Sequence, residues 1–232
     1  MSCTHLTGRL RDFQPTTHPD FEPHNTKPSA SGYYNEVETG MVRSLVDAVT
    51  WKPIYAGGPT GTNTTIGPEY FPSWFIDTPN VNLGADYALA LTPTTAGGSG
   101  FSRSPFYPID DGGSCPFVPQ TPCLLGNSTN YTNHNYAMTF ELHVHFEYVS
   151  DGGQYVQFSG DDDTWLFVNS SLVMDLGGIH QRTYARVALD TLGLAPGRIR
   201  MDFFWAERHV TSSNFDISTN VAFLDCGVPA PE

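Results

Sequence analysis

Three aspartates stand in a row in FSGDDDTWLFVN, residues 158–169. Like charges this close repel one another and lower local stability, so the run asks for a cation. Carboxylate oxygens are hard ligands of the kind Ca²⁺ takes at about 2.3–2.6 Å, in shells of about six to eight oxygens. Asp161, Asp162 and Asp163 are therefore candidate metal ligands. Backbone carbonyls, an Asn or Gln amide, or water must complete such a shell. The segment AERHVTSSNFD, residues 206–216, offers Thr211, Ser212, Ser213, Asn214 and free carbonyls. The alternative is a polar turn in which the aspartates bond their own backbone. The spacing is not that of an EF-hand loop, and no His/Cys pattern points to zinc.

The elements that must position these residues read as β-structure. Strands are expected over 136–149, 154–159, 164–169, 171–177, 183–190, 198–207 and 215–224, with SDGG and VNSS as tight turns. In FELHVHFEYV the residues Phe140, Leu142, Val144, Phe146 and Tyr148 take one face, leaving Glu141, His143, His145 and Glu147 on a polar face. Regular short strands with turns between them indicate an all-β antiparallel sandwich. Residues 1–135 read as a loop-rich, decorated half with a first strand near the start, and 136–226 as the regular strands, the whole forming a single domain over 1–232. One short helix is expected over 38–49, where Met41, Leu45 and Val49 recur every four residues.

Several segments, in order, resemble the fibro-slime domain family: RDFQPTTHPDFE (11–22), GMVRSLV (40–46), FSGDDDTWLFVNSSLVMDLGGIH (158–180), LDTLGL (189–194) and FWAERHVTSSNFDIST (204–219). The resemblance covers nearly the whole chain. That family is related to the protective-antigen-type β-sandwich, jelly-roll-like in form, of yeast flocculins and bacterial adhesins. The resemblance implies that two consecutive aspartates joined by a cis peptide hold Ca²⁺ together with an Asn and carbonyls from a second loop, and that the ion binds sugar hydroxyls directly. On this chain the pair matches Asp161 and Asp162, and the Asn matches Asn214. Asp163 stands where the lectin relatives more often carry Gly; it is either a third ligand or an occupant of the space a sugar needs.

His180 in DLGGIH, and Glu207, Arg208 and His209 in AERH, lie at strand ends that can converge on the same loops. With Thr211 and Ser213 they could form a hydrogen-bonding rim around a sugar, or a network that orients the ligands. Alternatively, Glu207 and Arg208 pair as ions and each His caps a loop. Trp165, nearest the aspartates, is core or a stacking surface for a sugar ring. Neither paired carboxylates at glycosidase separation nor an activated nucleophile can be argued, so the chain is read as a non-enzyme. His143 and His145 are read as two histidines on a solvated face.

The formal net charge of −13, from 24 acidic and 11 basic residues, argues against nucleic acid and anionic lipid as partners. Four cysteines and the sequons at Asn63, Asn127, Asn130 and Asn169 fit an oxidising secretory route. Of the three pairings available, Cys115 with Cys123 and Cys3 with Cys226 is preferred, the second tying the termini together. No apolar run nears the ~20 residues of a membrane span. The expectation is an extracellular or cell-surface chain whose targeting peptide has been removed, one module of a larger surface protein. Its expected activity is Ca²⁺-dependent binding of glycans in adhesion. A calcium-stabilised matrix or protein–protein module without sugar binding is the alternative.

Overall fold

The computed structural model describes residues 3–13, 18–22, 36–95, 97–109 and 134–231. Among these, the chain forms antiparallel strands in two sheets. The larger sheet runs β3-β2-β10-β9-β12-β7-β1-β4, with β14 also pairing with β7. Its strands are β1 (His5–Phe13), β2 (Val42–Val46), β3 (Pro53–Tyr55), β4 (Asn82–Ala90), β7 (Met138–Tyr148), β9 (Asp163–Val168), β10 (Ser171–Leu176), β12 (Gly197–Glu207) and β14 (Ala222–Phe223). The smaller sheet runs β11-β8-β13-β6-β5. It comprises β5 (Thr92–Pro93), β6 (Ser99–Arg103), β8 (Tyr155–Gly160), β11 (Thr183–Ala188) and β13 (Phe215–Thr219). The all-β sandwich expected from the alternating pattern is the observed architecture.

Period-two alternation builds the core. Leu142 and Phe146 of β7, Leu166 of β9 and Phe203 of β12 face the smaller sheet and meet Phe158, Phe215 and Ile217 from it. The opposite face of the larger sheet is covered as well. There Trp165, Phe167 and Phe204 pack against Phe13, Phe21, Met41, Phe71, Trp74 and Phe75 from the N-terminal half. That second apolar layer fixes the N-terminal segments against the sheet that carries the aspartates.

Three sequence expectations are corrected. Residues 38–49 do not form a helix: Val42–Val46 is a strand paired with β3, with Val42 opposite Tyr55 and Val46 opposite Pro53. The four-residue spacing is shared by a helix face and by alternate residues of a strand. The residues that bury are Met41, Val42 and Val46, while Leu45 and Val49 stay exposed. The expected strand 215–224 is two strands, because the chain leaves the smaller sheet at Asn220 and joins the larger one as β14. The polar face of β7 is not solvated at its centre: Glu141 and His143 are buried, beneath Trp51 and Lys52 of the β2–β3 turn.

Candidate functional site

Topology brings the candidate residues together. Three connections cross between the two sheets at one end of the sandwich: β8 to β9 through Asp161 and Asp162, β10 to β11 through residues 177–182, and β12 to β13 through residues 208–214. Backbone donors from the other two crossings converge on the aspartates. The amide of Asn214 donates to Asp161 Oδ1 (2.5 Å), and the Asn214 side-chain amide donates to Asp161 Oδ2 (2.7 Å). The His180 N–H donates to Asp162 Oδ1 (3.2 Å), and the Arg208 N–H to Asp162 Oδ2 (3.1 Å). The Asp161–Asp162 peptide bond is cis.

Asp163 turns the other way. Its carboxylate receives the Arg208 guanidinium through Nε (2.6 Å) and Nη2 (3.1 Å), and the Gly178 N–H at 2.6 Å. Both partners of this ion pair are fully buried. Arg208 spends its remaining donors on the Asp20 carbonyl and on the carbonyl and hydroxyl of Thr64, and it lies 4.6 Å from the Trp74 ring centroid. The Asp20 side chain in turn accepts from the Ile66 N–H and the Trp74 indole. Asp163 therefore anchors the N-terminal layer and neither lines the surface nor extends over the two-aspartate turn. This corrects its reading as a metal ligand: the arginine occupies its carboxylate.

Other expected site residues also move inward. Trp165 is fully buried in the aromatic layer and bonds Asp175, so it presents no stacking face. Glu207 and Arg208 are buried and do not pair with each other as expected, since Arg208 takes Asp163. His180 is buried, its ring nitrogens facing the carbonyls of Gln181 and Leu176. Ser213 is buried and donates to the Phe106 carbonyl. What remains at the surface is Thr211, hydrogen-bonded to His209 Nδ1 (2.7 Å), with Ser212 exposed next to it in the same loop and Ser104 exposed just after β6. The Ser104 hydroxyl donates to Asn214 Oδ1.

The electrostatics follow from burial. Arg208 is committed to Asp163, and among the described residues Asp161, Asp162 and Glu207 form no ion pair. Burial and the neighbouring Asp163 push the Asp162 carboxyl up to about 6. Burial raises Asp161 too, against the pull of its bonds to Asn214. Glu207 is raised well above the usual carboxylate range by burial and then by Asp162 and Asp161. Its Oε1 accepts from the His209 N–H (3.3 Å), and its Oε2 is buried with no hydrogen-bond partner. Three carboxyl groups thus share one end of the sandwich with hydrogen-bond donors but no paired cation.

The donor set suits a hard cation. Each oxygen of Asp161 and Asp162 accepts one hydrogen bond, which leaves lone pairs free for a metal. Asn214 points its amide nitrogen at Asp161 and its oxygen at Ser104, so ligation through Oδ1 requires the amide to turn. Among the described residues no group of three or more His, Cys, Asp or Glu side chains is drawn together around one metal position. A bound ion would therefore take part of its shell from Asn214, backbone carbonyls and water.

Elsewhere, Cys3 and Cys226 are joined in a disulfide, the terminal pairing preferred from the sequence. Asn63 and Asn169 lie exposed in turns. The other expected pair, Cys115 with Cys123, and the sequons at Asn127 and Asn130 lie outside the described residues. Among the described residues no helix is long and apolar enough to cross a membrane. Sequence reasoning missed Asp20 and Thr64, which hold Arg208. The stretch PDFE around Asp20 belongs to the fibro-slime-like segment 11–22, but nothing local in it shows that a distant arginine needs the Asp20 carbonyl.

No protein-family model matches the chain. It is similar to Dictyostelium discoideum proteins: psiJ, 34% identical over 94% of this chain and 30% of that protein; psiD, 36% identical over 84% and 40%; and psiC, 33% identical over 98% and 44%. The chain spans less than half the length of the curated relatives it matches. Among solved structures, an alpha-xylosidase from Xanthomonas citri aligns over 41% of this chain and 13% of its own at 14% identity, with a TM-score of 0.24; a score this low supports no inference about fold.

Proposed function

We propose that the chain is a calcium-dependent carbohydrate-binding module of an extracellular protein, non-catalytic, with Asp161, Asp162 and Asn214 holding the ion. The observation that carries this reading is the division of labour among the three aspartates. Arg208 neutralises Asp163 internally, while Asp161 and Asp162 are held by backbone amides and an asparagine on two crossing loops, with lone pairs to spare. Ca²⁺ bound there would exchange water ligands for two vicinal hydroxyls of a hexose. Thr211, Ser212 and Ser104 would supply hydrogen bonds at its edge. With Asp163 turned inward, the side chain that could have blocked a sugar is out of its way.

A second reading has its own support. Trp165, His180, Glu207, Arg208 and Ser213 are all buried, so most of the expected sugar rim is absent. That favours a calcium-stabilised interaction module without sugar binding. A thermal melt with Ca²⁺ and with chelator, followed by a glycan array on the Ca²⁺ form, separates the readings. A Ca²⁺-dependent rise with chelator-sensitive glycan binding supports the lectin, and the same rise with a blank array supports the interaction module. An unchanged melt rejects the metal site.

A further inference from the structure

Glu207 is the last residue of β12. Along that strand Met201, Phe203, Trp205 and Glu207 share the face turned toward the smaller sheet, so a carboxylate takes the position at the end of an apolar row. The indole of Trp205 donates to the Asp161 carbonyl at 2.7 Å, which places the two-aspartate turn directly over this end of the row. Glu207 is fully buried, and its Oε2 has no hydrogen-bond partner. A second polar atom shares the condition: Thr164 Oγ1 is fully buried and unpartnered. Thr164 pairs with Trp205 across the β9–β12 ladder, so it is the diagonal neighbour of Glu207 on the same sheet face. Diagonal Cβ atoms in antiparallel sheets stand about 7 Å apart, room for one water between the side chains. Buried polar atoms left without protein partners are commonly satisfied by such a water.

We propose that Glu207 sets the affinity and charge preference of the cation site through a buried water. The water binds the ion from its inner side and donates hydrogen to Glu207 Oε2, with Thr164 Oγ1 as its other neighbour. This rests on the calcium reading above. Glu207 is here a positioning residue: it orients a metal-bound water and adds a negative charge behind the two ligating aspartates. Groups that support ligands in this way typically change metal affinity about 10- to 100-fold. Because the effect is largely that of charge, it should be larger for a trivalent ion than for Ca²⁺.

Tb³⁺ luminescence tests it, excited through Trp205 beside the turn, with Ca²⁺ competing. In the wild-type chain Tb³⁺ should bind and Ca²⁺ should displace it. In Glu207→Gln both should bind more weakly, by about 10- to 100-fold, with the greater loss for Tb³⁺. The chelator-treated variant should unfold at no lower denaturant concentration than wild type, since Glu207 Oε2 has no hydrogen bond to lose and burial already disfavours its charged form. Wild-type-like affinities in Glu207→Gln overturn the role of Glu207 and leave the calcium site intact. An equal loss for both ions with a lower metal-free midpoint also overturns it, in favour of a merely structural glutamate. A wild-type chain that binds neither ion rejects the calcium reading itself. If Glu207→Gln does not fold, Thr164→Val carries the test. It keeps the shape and removes the water's other neighbour, so several-fold weaker Tb³⁺ binding is expected, and unchanged binding overturns the proposal.

Discussion

At the scale of single residues, the three aspartates show how identical side chains acquire different tasks. The run was legible as unusual, because adjacent carboxylates need compensation. Which carboxylate meets which partner was not legible, because Arg208, Asn214 and the His180 amide come from two other crossings. Asp163 and Arg208 form a buried pair, and breaking such a pair leaves a charge without compensation. Arg208→Met should therefore cost about 3–5 kcal/mol, read as a lower urea midpoint. The double variant Arg208→Met with Asp163→Leu should recover a substantial part of that loss, because apolar groups of similar size can replace a buried ion pair. A double variant no more stable than the single would show that Arg208 acts mainly through the Asp20 and Thr64 carbonyls. Gly178, at φ +97° with Glu38 atoms near its Cβ position, supplies the remaining amide to Asp163 from a backbone region that L-residues rarely adopt.

At the scale of elements, the strands from β7 to β12 were readable to within a residue or two, since each carries an alternating face, whereas 215–224 divides between the two sheets. The 38–49 segment was misread because a four-residue recurrence cannot separate a helix from a strand, and only the partner β3 decides. β1 lies so close to β7 that a Cβ on Gly8 would stand 2.2 Å from the Glu141 carbonyl and 2.5 Å from the Phe140 ring. Gly8→Ala should cost about 1–3 kcal/mol or more, as overpacking against backbone does, and a melt unchanged from wild type would contradict that packing. The covered polar face of β7 gives a pH prediction. Burial opposes charge on Glu141, but His143, with Nε2 3.8 Å from its Oε2, and the Arg11 and Lys52 charges hold its carboxyl down to about 2. A carboxyl lowered on folding stabilises the fold above its usual 4.5, and that contribution fades as pH falls toward 2. Burial also opposes charge on His143, but the bond to Asp202 and the nearby Glu141 carboxylate raise its pKa overall; its contribution is present on the acid side and is lost as pH rises through the raised value. The gap in urea midpoint between wild type and Glu141→Gln should thus be widest at mildly acidic pH and close toward pH 2. A gap independent of pH would exclude the ionic network.

At the scale of the whole molecule, two distant features act on one sandwich. The disulfide Cys3–Cys226 spans a sequence separation of 223 residues. It fixes the start of β1 beside the C-terminal segment, where the Thr7 N–H donates to the Cys226 carbonyl (2.7 Å). The site lies at the other end of β1, where Asp12 pairs with Met138 and Met138 pairs with Glu207. From His5 to Asp12 the strand covers about 23 Å at about 3.3 Å per residue. Cross-linking so long a loop stabilises chiefly by restricting the unfolded chain, and losing a native disulfide typically costs about 2–5 kcal/mol. Sites this far apart with no shared partners behave additively. Cys3→Ser with Cys226→Ser should therefore lower the urea midpoint in both the Ca²⁺ and the chelator-treated form by the same amount, while Tb³⁺ affinity stays at the wild-type level. A matching fall in Tb³⁺ affinity would mean that the two ends of the sandwich are coupled, and that the crossing loops depend on the terminal clasp to hold the aspartates in place.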